Sequence, residues 1–208
     1  MLLDAALLST GIDDIPATAR DLEARGYAGV WASEVAHDPF LQLLAAGQAT
    51  ERLQVGTAIA VAFARSPMTL ATTAYDLQRY TRGRFVLGLG TQIKAHVERR
   101  FSMPWTAPAA RMREYVAALR AIWNAWQSGD RLRFEGEHYR HTLMTPMFSP
   151  QPHMWGGPPV HLSGTASPTD ERCAANHARH GGTAIGATRS VATFSHADHE
   201  HHRSRPPR

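Results

Sequence analysis

Between Leu53 and Gln92 the chain runs apolar strand, kinked loop, helix, apolar strand, and no other stretch limits the choice of fold so strongly. Leu53-Gln-Val-Gly-Thr-Ala-Ile-Ala-Val-Ala-Phe63 is an almost unbroken apolar run of strand length. A strand apolar on both faces is buried on both faces, as in parallel sheets covered by helices. Ser66 then supplies a helix cap and Pro67 the first helical position, where the missing N–H has no partner to lose. Arg84-Phe-Val-Leu-Gly-Leu-Gly-Thr-Gln92 returns as a second strand of the same kind. Parallel strands joined through helices present their ligand sites at the carboxyl ends of the strands, so function is expected there.

The same alternation precedes this unit. Leu2 to Leu8 reads as a first strand, and a helix from about Asp14 carries Pro16 in its first turn and stops at Gly26. Tyr27 to Ser33 reads as a second strand ending at Glu34, and Asp38-Pro39 opens the next helix. Beyond the fourth strand, Lys94 to Thr106 reads as a polar connection. From Pro108 to Gln127 Met112, Tyr115, Val116, Leu119, Ile122, Trp123 and Trp126 then fall on one helical stripe. Leu132 to Arg140 reads as a hairpin, a Pro-rich linker covers Pro146 to Pro159, and Val160-His-Leu162 forms a fifth strand. After Thr165 no period is visible, and the segment is expected to stay disordered and to add no further strand.

Charge excludes more than it suggests. The 208 residues carry a formal +4, but Arg residues alternate with acids, as in Asp21-Leu-Glu-Ala-Arg25 and Arg111-Met-Arg-Glu114. That pattern reads as solvated helix surface, so no nucleic-acid partner is expected. The single Cys173 cannot form an internal disulfide, no leader or membrane span is apparent, and a cytoplasmic location is expected. His196-Ala-Asp-His-Glu-His-His202 could chelate adventitiously, but no metal site is assigned.

Gly56-Thr57 and Gly88-Leu-Gly90 would let a ligand approach the backbone. Taken together, Gly26-Tyr-Ala-Gly-Val-Trp-Ala-Ser-Glu34, Val55-Gly-Thr-Ala-Ile-Ala60 with Arg65-Ser-Pro67, Gly83-Arg-Phe-Val-Leu-Gly-Leu-Gly90 and Pro158-Pro-Val-His-Leu-Ser-Gly164 resemble the bacterial luciferase-like monooxygenases. His37-Asp-Pro-Phe40 and Glu98-Arg-Arg-Phe101 are similar to the subgroup that uses coenzyme F420. The resemblance implies an α/β fold of the (β/α)8 TIM-barrel type, of which residues 1–164 supply about strands one to five. It also implies a cis peptide at Ala58 to Ile59 backing a flavin-type ring, continued by Ala60, with Glu34 near the ring's pyrimidine edge. Gly88, Gly90 and Thr91 would line the cofactor, and Ser163 and Gly164 would open a phosphate loop.

The family often places a histidine directly after the acid, where this chain has Val35, so His37 with Glu34 is the catalytic expectation. Deazaflavin sugar-phosphate dehydrogenases also carry a glutamate just past the Gly-x-Gly, where Gln92-Ile93 stands. What the resemblance implies is a hydride-transferring oxidoreductase using F420 on a small-molecule substrate, a homodimer if the barrel is complete. An FMN-dependent monooxygenase is the alternative, and an inactive fragment a third. From the change of character after Gly164, a truncated or frame-shifted barrel with a tail over 165–208 is expected.

Overall fold

A computed structural model describes residues 2–7 and 10–163, together with the backbone of 189–194. The chain divides into two compact units, a first that runs to Ala60 and takes in the strand at 189–194, and a second that begins at Val61.

The first unit is a parallel sheet with helices. In chain order it holds β1 (Leu2–Leu7), α1 (Ile15–Ala24), β2 (Gly29–Ala32), α2 (Pro39–Ala49) and β3 (Gln54–Thr57). β1 pairs with β2 in the register Asp4↔Gly29, and β2 pairs with β3 in the register Gly29↔Gln54. Both helices carry a proline in their first turn, Pro16 in α1 and Pro39 in α2, and Asp38 caps α2 by accepting from the Phe40 amide at 2.8 Å. Gly26 stops α1 with φ +82°, a left-handed conformation that glycine adopts at little cost. α1 packs on α2, and α2 lies against β2 and β3, burying Ile15, Leu22, Leu43, Val30 and Val55.

The Asp21–Arg25 pair is the exposed helix pair that the sequence suggests, but Glu23 between them has a further role. Both Glu23 oxygens receive the Glu51 amide, at 3.1 and 3.3 Å, and one of them also receives the amides of Arg52 and Leu53, at 2.7 and 2.8 Å. The carboxylate thus caps the turn that enters β3. Burial raises its pKa, but those amides and the Arg52 charge outweigh burial and hold it below the ordinary 4.5. A depressed carboxyl pKa stabilises the fold above its unfolded value, and that stability is lost as pH falls through the folded value. Urea midpoints measured from pH 6 to pH 3 are therefore expected to drop below pH 4.5, with a smaller drop in Glu23→Gln.

The second unit carries η1 (Ala62–Ala64), α3 (Pro67–Tyr80), β5 (Phe85–Gly90), α4 (Lys94–Arg99), α5 (Pro108–Ser128), the antiparallel pair β6 (Phe134–Glu135) and β7 (Arg140–His141), η2 (Pro146–Phe148) and β8 (Val160–Leu162). A two-residue strand, β4 (Ala60–Val61), stands at the boundary. Ser66 caps α3 through the Thr69 amide at 3.1 Å. α3 packs on α5 and β5, and β5 pairs in parallel with β8 in the register Leu87↔Val160.

Three expectations change. The apolar run from Leu53 to Phe63 is broken into β3, β4 and η1, because the backbone turns at Ala58-Ile59. The polar connection after β5 contains α4, whose Val97 is fully buried and gives that short helix an inner face. Finally, a strand forms at β9 (Arg189–Phe194), which pairs in parallel with β1 from Leu2↔Arg189 to Leu7↔Phe194. A backbone ladder can be completed by a strand of weak pattern, so this one was illegible from periodicity. The remaining residues expected to be disordered, and the His196–His202 cluster, lie outside the described residues.

Candidate active site at the strand ends

In the first unit the ends of β2 and β3 are fastened to each other. The Ala58 amide donates to the Ala32 carbonyl at 2.8 Å, extending the ladder by one step. The Ser33 hydroxyl then donates to the Ala58 carbonyl at 2.6 Å, and the Glu34 amide donates to the Ile59 carbonyl at 3.1 Å. The Ala58-Ile59 peptide is cis, the position that the resemblance implies. Glu34, Ala58 and Ile59 are thereby brought together, with Ala60 buried as the next strand begins. Glu34 is only 9% exposed although it is an acid at a strand end.

Beyond Glu34 the chain bends through Val35, Ala36 and His37 before α2. Val35 is 52% exposed, and its amide donates to the Ser33 carbonyl at 3.0 Å. His37 is exposed in the same bend. The cap of α2 is Asp38, so the imidazole has no capping duty to perform.

Gly56 has a role other than the one expected. A Cβ there would collide with the ring of Trp31, which is 3% exposed and lies across the neighbouring strand. The close approach that this glycine permits is therefore made by an indole and not by a ligand. The Trp31 Nε1 donates to Asp4 Oδ2 at 2.9 Å, so the ring is held from both sides.

The other candidates belong to the second unit. Gly88 and Gly90 are buried in β5, and Thr91 follows with its hydroxyl donating to the Gln92 carbonyl at 3.0 Å. Gln92 has φ +63° and its side-chain oxygen receives the Ile93 amide at 3.1 Å, a local turn that sequence reading missed. Ser163 follows β8 and is exposed. Its amide donates to the Leu89 carbonyl at 2.9 Å, so the hydroxyl, rather than that N–H, is what Ser163 offers a ligand. Gly164 lies outside the described residues.

Arg111 is buried and Glu114 half-buried, which corrects the reading of Arg111-Met-Arg-Glu114 as solvated surface. Arg111 is 8% exposed; its Nε donates to the Tyr139 hydroxyl at 2.8 Å and its Nη1 to the Pro104 carbonyl at 2.7 Å. Its guanidinium also lies 4.4 Å from the centre of the Phe63 ring. The three-residue spacing puts both charges on one helix face, which was the available signal. Among the described residues no group of three or more His, Cys, Asp or Glu is placed to hold a metal, and no helix is long and apolar enough to cross a membrane.

Comparison with known proteins gives these features a context. The family model described as Luciferase-like monooxygenase matches residues 3–193. An uncharacterized protein of Mycobacterium tuberculosis is 57% identical over 152 residues, which cover 73% of this chain and 45% of that protein. The chain thus spans about half the length of the curated relatives it matches. A provisionally named coenzyme F420-dependent oxidoreductase of the same organism is 33% identical over 119 residues, covering 57% of this chain and 33% of its own. The oxygenating constituent of 3,6-diketocamphane monooxygenase from Pseudomonas putida, solved in complex with FMN, shares the fold with a TM-score of 0.68 at 16% identity, covering 86% of this chain and 56% of its own. That α/β fold with a parallel sheet is the one expected from the strand order.

Proposed function

Because the chain belongs to the luciferase-like monooxygenase family, we propose that it serves an oxidoreductase that moves a hydride between coenzyme F420 and a small organic substrate. The observation that carries this reading is Glu34, a carboxylate 9% exposed at the carboxyl end of β2, with its amide tied to the Ile59 carbonyl. A buried acid at the open end of a parallel strand fits a heterocyclic ring edge that carries an N–H donor. Ala58, Ile59 and Ala60 would give such a ring an apolar backing. Within the second unit, Gly88, Gly90 and Thr91, and Ser163 with Gly164, are the residues we assign to cofactor contact.

The bound group supplies the hydride chemistry; the protein orients it, keeps water out and handles protons. Val35 cannot carry a proton, and His37 is the imidazole in the same bend, so we assign it the proton-carrying role. F420 is favoured over FMN by the 33% identical relative named for it and by the His37-Asp-Pro-Phe40 and Glu98-Arg-Arg-Phe101 segments.

Fluorescence titration of the 208-residue chain with F420 and with FMN tests this. Saturable F420 binding is expected, weakened about tenfold in Glu34→Ala through loss of one charge-assisted hydrogen bond. Binding of FMN alone would favour the oxygen-activating alternative, and saturation by neither would favour an inactive fragment.

A further inference from the structure

We propose that Gln127, in the last turn of α5, is a positioning residue that sets the register of the segment leading into β8 and so places the Ser163 hydroxyl for a cofactor phosphate. This rests on the assignment of Ser163 to the phosphate end of the site.

The Gln127 side chain makes three hydrogen bonds at once. Its Nε2 donates to the His153 carbonyl at 2.8 Å, and its Oε1 accepts the His153 amide at 3.0 Å. The amide thus grips both backbone groups of one residue, and the segment cannot slide along α5 without breaking both bonds. Oε1 also accepts from the Tyr75 hydroxyl at 2.7 Å. The His153 amide and carbonyl fix which end of the Gln127 amide is oxygen, and burial, which pushes the Tyr75 pKa up, keeps that hydroxyl protonated to donate to it. The His153 ring lies against Tyr75 with centres 4.1 Å apart, and Trp155 follows at 5.8 Å from His153. Trp155 covers Gly83 and Trp123 covers Gly157, where any Cβ would collide with the indole.

From this clamp the chain passes Pro158 and Pro159, whose rings fix φ and transmit position with little slack. The Pro159 carbonyl receives the Leu87 amide at 2.9 Å, Val160 pairs with Leu87, and the Ser163 amide reaches the Leu89 carbonyl at 2.9 Å. A slip of one residue in a strand sends every side chain to the opposite face, Ser163 included. Gln127 therefore acts on the phosphate through register, without touching it.

The test compares ligands that differ in phosphate: FMN against riboflavin, and F420 against its phosphate-free deazaflavin chromophore, each titrated by fluorescence into the full chain. The wild type is expected to prefer the phosphate-bearing member of the pair it binds. Gln127→Ala is expected to cut that preference about tenfold while leaving affinity for the phosphate-free member unchanged. Tyr75→Phe removes only the hydroxyl; it is expected to lose less in the same direction, and it carries the test if Gln127→Ala does not fold. Retention of the wild-type preference in the folded variants overturns the inference alone. So does equal weakening of both ligands, the mark of a merely structural role. A wild type indifferent to phosphate overturns the assignment of Ser163 and the inference with it.

Discussion

Trp31→Ala is expected to lower the stability of the first unit by about 3–5 kcal/mol, the usual range for truncating a buried aromatic side chain to alanine. The indole fills the space over Gly56 and donates to Asp4, itself fully buried in β1. Truncation opens a cavity between β2 and β3 and takes a donor from a buried carboxylate, and the second effect adds to the first. Gly56→Ala alone is expected to cost about 1–3 kcal/mol, because its methyl group meets the ring. In the Trp31→Ala background the same methyl enters the cavity, so the two losses are expected to be strongly less than additive. Urea unfolding of the four proteins followed by circular dichroism measures this. Additive losses would mean that the ring and the glycine do not share their space.

The second large effect is expected at Glu114. Its two oxygens receive the amides of Glu137 at 3.1 Å, His138 at 2.8 and 3.0 Å, and Tyr139 at 2.6 Å, which together are the turn between β6 and β7. Gly136 has no side chain because a Cβ would collide with that carboxylate. Glu114→Ala leaves three amides to water at a half-buried site and is expected to cost about 2–3 kcal/mol, the sum of charge-assisted bonds discounted for partial exposure. Glu114→Gln keeps the shape but turns an N–H₂ toward N–H donors, so it is expected to rescue less than half of the loss. Hydrogen exchange at Glu137 to Tyr139 reports the release of the turn directly. The neighbouring Arg111 holds Tyr139 from the other side, at 2.8 Å to its hydroxyl, so exchange at Tyr139 is expected to rise less than at Glu137.

Some of the candidate site was legible because its signals are local. The helix openings at Asp38-Pro39 and Ser66-Pro67 were, since a capping side chain reaches an amide two or three residues ahead and needs nothing else from the fold. Gly26 was as well, with φ +82° at the end of α1. The turn at Ala58-Ile59 came from resemblance, not from pattern, because an apolar run carries no sign of where its backbone bends. Ser33 was passed over for the same reason: its hydroxyl matters only because Ala58 arrives 2.6 Å away from another strand.

The order of β1, α1, β2, α2, β3, α3 and β5, their apolar faces and the position of Glu34 at a strand end were thus determined by the chain alone, through spacings of two to four residues. Tertiary structure decided what the polar residues do. Arg111, Glu114, Glu23 and Gln127 all read as ordinary charged or polar helix positions, and each instead holds a distant turn or loop by its backbone groups. Gly56 read as room for a ligand and is room for Trp31. Long-range hydrogen bonds and close packing depend on which surface the fold brings opposite a residue, and no local spacing carries that information.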